Sequence, residues 1–235
     1  MAERRLVYLP IGRTLLILFI AMLIGIVVFI FVIFGIETAF SRLGFGVLGV
    51  VVILGSSLLG SSINIPITKI EAKVPMVTVG FAKIFGIVYP IPTIEEGVTE
   101  TILAVNFGGA IVPLIVSIYL IANMPKLILP ALLGTLIVAL LVHSIARPVE
   151  GVGITTPLFM PPIFAALVAY ILSAVMHLNT VAYIAYIGGT LGTLIGADIL
   201  NIGAIPKLGA PVASIGGAGT FDGIFLTGLI AALLA

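Results

Sequence analysis

Residues 14–36, TLLILFIAMLIGIVVFIFVIFGI, hold no charged side chain. As helix, a run of this length outreaches the roughly 20 residues that cross a bilayer core. It cannot be hidden in a soluble core that a chain of 235 residues could build, because 61 % of all residues are hydrophobic and only 8 % are charged. The mean hydropathy of +1.40 completes the case for a polytopic membrane protein. The first run resembles a signal peptide only superficially. It is too long for an h-region and no A-x-A site follows, so it reads as a retained first span.

Seven spans are expected, at about residues 14–36, 43–63, 101–121, 127–145, 160–177, 181–201 and 219–235. The fold class that follows is an all-α transmembrane bundle forming one domain over residues 1–235, with a short extramembranous insert at 64–100. That insert carries Lys69, Glu71, Lys73, Lys83, Glu95, Glu96 and Glu100. Its VPMVTVGF and IVYPIP stretches read as short strands or an interfacial hairpin broken by proline. With the N-terminus in the cytoplasm, Arg4, Arg5, Arg13, Lys69, Lys73, Lys83, Arg147 and Lys207 fall inside, while Arg42 and Lys126 fall outside. This positive-inside bias favours an odd number of spans in a cell (inner) membrane.

An internal repeat is expected as well. LGTLIVALLVHSIARPVEG (133–151) aligns without gaps with LGTLIGADILNIGAIPKLG (191–209). The units, 133–177 and 191–235, would share one topology and be related by a two-fold along the membrane normal. Chance similarity between apolar low-complexity segments is the bland alternative. Gly188, Gly192 and Gly196 form a small-residue row on span six, and Ala185, Gly189, Thr193 and Ala197 form another. Lipid offers no hydrophobic drive for helix association, so such rows let backbones approach and mark span six as central.

Asp198, in TLGTLIGADILN, is the residue helix physics does not ask for. A buried acid near a helix C-terminus opposes the macrodipole, and an ionised carboxylate in the membrane costs at least ~2.5 kcal/mol. At 100° per residue it shares a face with Ile187, Leu191 and Leu194. Either it snorkels or pairs with Lys207, or a ligand or partner rewards its cost. Asp222, in GAGTFDGIF, either caps the seventh helix or joins Asp198 at a similar depth near the cytoplasmic face. His143, aligned with Asn201 by the repeat, could orient a carboxylate or relay protons, or be a structural histidine. Arg147 and Glu150 follow at the same level, Arg147 reading equally as a topology-setting charge. Asn106 in NFGGAIVP suggests an irregular third span or a helix–helix hydrogen bond. Pro206, Gly217 and Gly219 shape the loop between spans six and seven.

Several chemistries are excluded. Zero cysteines remove disulfides and thiolate sites, and the sequence holds no H-E-x-x-H, no phosphate-binding G-x-x-x-x-G-K and no G-x-S-x-G elbow. No metal and no cofactor are expected. The absence of basic runs argues against nucleic acid as a partner. The expected partners are the lipid bilayer and either a membrane-embedded peptide or a small solute or ion, with a homo-oligomer open.

The segments GGTLGTLIGADILN, GAPVASIGGAGTFDGIFLTGLIAALLA, NFGGAIVP and EGVGITTP resemble an uncharacterised family of archaeal and bacterial integral membrane proteins, from about residue 43 onwards. That resemblance brings no activity. Two short stretches also resemble the intramembrane aspartyl proteases of the presenilin, signal-peptide-peptidase and prepilin-peptidase type. Those carry G-x-G-D; here Thr220 and Phe221 stand between Gly219 and Asp222, and Ala197 precedes Asp198 where the family has tyrosine. The resemblance implies catalysis by an Asp198/Asp222 dyad sharing a proton, one acid acting as base on water and the other as acid towards the scissile carbonyl. The competing expectation is a proton- or cation-coupled transporter or channel with Asp198 as its ion site.

Overall fold

The structure, a computed structural model, describes residues 11–84, 87–149, 153–207, 209–217 and 223–235. Its helices are α1 (Ile11–Arg42), α2 (Val47–Gly60), α3 (Val112–Asn123), α4 (Ile128–Ile145), α5 (Met160–Val175), α6 (Val181–Thr193) and α7 (Gly223–Leu234). The strands are β1 (Asn64–Ile84), β2 (Ile87–Asn106), β3 (Arg147–Val149), β4 (Gly153–Thr155) and β5 (Val212–Ile215).

Three helical stretches are long and apolar enough to cross a membrane: Arg13–Arg42, Pro125–Ile145 and Val181–Pro206. The other four, Val47–Gly60, Phe107–Asn123, Met160–Val175 and Gly223–Leu234, are shorter apolar helices. At 1.5 Å per residue the 16 residues of α5 rise only about 24 Å, less than the ~30 Å hydrocarbon core.

The long Val181–Pro206 stretch is the most enclosed of the three, with two thirds of its most apolar window buried. Glycine is the cause. Gly188 lies on the backbone of Gly134 in α4, and Gly192 lies against Val138 and Ala139. A Cβ on Gly196 would overlap the Ala139 carbonyl oxygen. On another face Gly189 meets Ala165 of α5 and Thr227 and Ala231 of α7. Tyr186 and Ile187 complete a core with Phe40, Leu120, Phe225 and Leu229. By contrast α1 is enclosed only near its end, at Ala39 and Phe40; none of its most apolar window is buried. There Arg42 Nη1 donates to the Leu233 carbonyl at 2.9 Å, a cation at the C-terminal end of α7 where the helix dipole favours it.

The all-α expectation is corrected. β1 and β2 form a long antiparallel hairpin that runs from Asn64↔Asn106 at its base to Ile84↔Ile87, with an irregularity between Pro66 and Thr68. β5 adds a short parallel strand at the base, pairing Ile102–Val105 with Val212–Ile215. Residues 101–106, placed in span three by hydropathy, are strand and continue β2 beyond the 64–100 stretch. TETILAVN is rich in the β-branched residues that favour a pleated surface, and Thr101, Leu103, Ala104 and Asn106 are buried. At the seventh expected span, helix is described from Gly223 only, and residues 218–222 lie outside the described residues.

Candidate functional site

Two π-helical turns, Phe107–Ile111 before α3 and Leu194–Asp198 after α6, mark the candidate site. Such turns are rare and occur mostly as single-turn bulges, often at functional sites. The first follows Asn106, which is fully buried. Its side-chain oxygen accepts from Gly109 N–H at 2.7 Å, capping the turn. Its amide nitrogen donates to the Ser61 carbonyl at 2.6 Å and to Asn64 Oδ1 at 3.1 Å. Ser214 Oγ donates to the same Asn64 oxygen at 2.6 Å, and Ser57 Oγ donates to the Gly108 carbonyl at 2.7 Å. Asn106 therefore caps the irregular start of the third expected span and ties it to the end of α2.

The second turn carries Asp198. Its Oδ2 accepts from the N–H of Gly216 at 2.8 Å. Gly216 has φ +83 and lies hard against Gly109 and Ala110, so the loop that holds the acid also seats on the first π-turn. Gly217 follows with φ +89 and donates its N–H to the Ser214 carbonyl at 3.2 Å. A π-turn leaves carbonyls without their usual helical partners. Asn201 Nδ2 meets this need, donating to Gly196 O at 3.0 Å and Ala197 O at 2.9 Å. It also lies 3.2 Å from His143 Nδ1, joining the two residues that the repeat aligns.

Asp198 is held by Gly216, which seats on Ala110, and Ala110 shares a buried cluster with Leu194, one of the residues expected on its face. On α6 the stripe of Tyr186, Thr190 and Thr193 is buried; the Tyr186 and Thr190 hydroxyls, one helical turn apart, interact with each other, and those of Thr193, Thr135 on α4 and Ser173 on α5 make no hydrogen bond among the described residues. Sequence reasoning took Thr193 as packing and missed Tyr186, Thr190, Asn64, Ser214 and Gly216. The four- and three-residue steps from Tyr186 to Thr190 to Thr193 were the available signal.

The remaining expected residues are dispersed. Arg147 is exposed and lines a cleft of about 450 Å³ with Ser144, Thr155 and Thr156. Pro206 lies inside the 3₁₀ stretch Ile199–Lys207. Glu150, Gly219 and Asp222 lie outside the described residues. Among the described residues no group of three or more His, Cys, Asp or Glu side chains could hold a metal ion.

A family profile described as Protein of unknown function (DUF1614) matches residues 58–234. The chain belongs to this family. No curated protein and no solved structure matches it. The stretch shared with DUF1614 starts inside α2 and leaves out α1. It contains the hairpin, both π-turns, Asn64, Asn106, Asp198 and Gly216. The likeness to intramembrane aspartyl proteases rests on its two short stretches alone.

Proposed function

We propose that this DUF1614 chain is a multi-pass membrane protein that passes protons or small monovalent cations, with Asp198 as the charge-bearing group. Seven crossings with a cytoplasmic N-terminus remain the topology that the basic residues favour. Of the shorter helices, α3 is extended by the first π-turn and α2 runs into the base of the hairpin. Irregular backbone is tolerated at membrane depth where it is buried in protein or lines a water-filled cavity, and Asn106, Asn201 and Gly216 supply the bonding this needs.

The carrying observation is the row of buried hydroxyls on α6, Tyr186, Thr190 and Thr193, in the same helical stretch as Asp198. Buried polar groups are nearly always bonded, so a row of them asks for water or an ion between them. A row of hydroxyls with an acid in the same helical stretch suits a proton or small cation handed from group to group. In this reading Tyr186, Thr190 and Thr193 orient the moving species, Asp198 takes up its charge, and Gly216 N–H fixes the carboxylate rotamer.

The protease reading keeps one supporting observation. Ile224, on the first turn of α7, shares a buried cluster with Leu194 of the second π-turn, so α7 starts at the Asp198 end of α6. A dyad then requires Asp222 within one water of Asp198.

Proteoliposomes holding a pH-sensitive dye, with an imposed membrane potential, separate the two. The expected result is lumen acidification by the wild type and at least a tenfold loss in Asp198→Asn with an unchanged circular dichroism spectrum. Asp222→Asn should conduct normally. Wild-type vesicles that pass neither protons nor sodium would end the carrier reading. Cleavage of a labelled transmembrane peptide, lost in both Asn variants, would establish the protease.

A further inference from the structure

The β1–β2 hairpin presents an apolar face that none of the described residues covers. In an antiparallel pair, opposite residues share a face and successive residues alternate. The register Val77↔Ile94, Val79↔Pro92, Phe81↔Pro90 and Lys83↔Val88 therefore puts Val77, Val79, Phe81, Val88, Pro92 and Ile94 on one side. Val77, Val79, Phe81, Val88 and Ile94 are each more than half exposed. The base of the ribbon is packed: Ile70 and Leu103 join Ile202, Ile205, Ala213 and Ile215. Among the described residues, no buried cluster includes a ribbon residue beyond Ile70 on β1 or before Leu103 on β2. A lone two-stranded ribbon is marginal in water, and exposed apolar patches of several hundred Å² mark interaction sites.

We infer that this face packs against the same face of a second copy of the chain, the two ribbons running antiparallel about a two-fold axis near Val79↔Pro92. Area supports it. Burying an aliphatic side chain removes about 60–120 Å² of apolar surface from water. Six such side chains give roughly 500 Å² per copy and ~1,000 Å² for the pair, where specific interfaces begin.

Charge selects the antiparallel arrangement. The two-fold carries the Lys83↔Val88 level onto the Pro75↔Glu96 level, so the two Lys83 residues end up at opposite ends of the stacked faces. A parallel stack would bring both Lys83 residues to one level, like charge beside like charge. Nearer the base, Lys69 and Glu100 already satisfy each other at 2.6 Å on the same ribbon. An isologous contact of this kind closes at a dimer.

The native chain lacks cysteine and tryptophan, so single probes report alone. In full-length protein in nanodiscs large enough for two copies, Val79→Cys should cross-link to a dimer with a thiol-specific reagent spanning about the 10 Å between stacked sheets. Thr78→Cys, on the opposite face, and Lys83→Cys, far from its own mate, should cross-link at least tenfold less. Equal cross-linking of all three, or none at Val79→Cys, would overturn the inference. As an independent readout, Val79→Lys should convert dimer to monomer in light scattering, with its circular dichroism retained. A Phe81→Trp fluorescence quenched by brominated lipid would show the bilayer as the occupant and refute the second copy.

Discussion

Gly216 is where the acid, the loop and the first π-turn meet, so Gly216→Ala tests the site directly. Two costs follow from its surroundings. With φ +83, an alanine would occupy a backbone region that L-residues enter at a cost of about 1–3 kcal/mol. Its Cβ would also sit 2.6 Å from Ala110 Cβ and 2.7 Å from Ala110 N, closer than van der Waals contact allows. Overpacking of this kind typically costs about 1–3 kcal/mol, and backbone yields less readily than a side chain. Together, about 2–6 kcal/mol is expected. Two further variants separate the terms. Gly153 has φ +117 in open space, so Gly153→Ala carries strain without a clash. Gly203 has neither constraint, and Gly203→Ala should stay within about 0.5 kcal/mol of wild type. Unfolding in mixed micelles by denaturing detergent, followed by circular dichroism, gives the three values. Should Gly216→Ala fall within 1 kcal/mol of Gly203→Ala, on the scale of ordinary surface changes, the loop does not seat on the first π-turn as described. Proton flux should fall in step with the lost Gly216 N–H contact to Asp198.

Three shorter tests probe the supporting bonds. Asn106→Ala removes a cap and leaves the Ser61 carbonyl and Gly109 N–H unpaired, a loss of about 2–4 kcal/mol by detergent unfolding. A double-mutant cycle over His143→Ala and Asn201→Ala should return a coupling of about 0.5–1.5 kcal/mol, whereas zero would show that the 3.2 Å contact carries no energy. The Glu100 carboxylate, by hydrogen bond and charge, raises Lys69 above its ordinary value of 10.5. A raised folded value means the stabilisation is fully present below the unfolded value and is lost as pH rises through the folded one. Glu100→Gln should therefore lower the Lys69 midpoint in NMR titration, and any stability gap from wild type should vanish only in strong alkali.

Much of this fold is legible in the sequence, for physical reasons. Hydropathy finds α1, α4 and α6 because lipid demands long apolar helices, and the glycine rows expose α6 as central because only a bare backbone lets Gly188 and Gly134 meet. Hydropathy misreads residues 101–106 because it sums apolarity and ignores its period: TILAVN runs straight into FGGAIVP, and the change from strand to helix happens inside one apolar stretch. The second π-turn was hidden for a related reason. A π-turn inserts one residue into the helical count, and no periodicity at 100° records it. The hairpin tip kept its strands despite Pro75, Pro90 and Pro92 because both of its edges are free of further strands there, so a missing N–H breaks no ladder.

Asp198→Asn draws the line between structure and function at the site. Asparagine is nearly isosteric with aspartate and keeps a side-chain oxygen, so the Gly216 N–H retains its acceptor and the loop its seat on Ala110. What disappears is a charge whose cost at membrane depth is about 2.5–3.5 kcal/mol on insertion scales. Partial exposure and hydrogen bonding offset some of that cost, so the variant should be as stable as wild type or up to ~2 kcal/mol more stable. A charge kept against such a gain is kept for what it does, the trade expected where a site is built for activity. If detergent unfolding instead shows Asp198→Asn less stable by 2 kcal/mol or more, the carboxylate is a structural clamp holding the 212–217 loop. Flux lost in the variant would then report a collapsed loop and not a missing charge carrier.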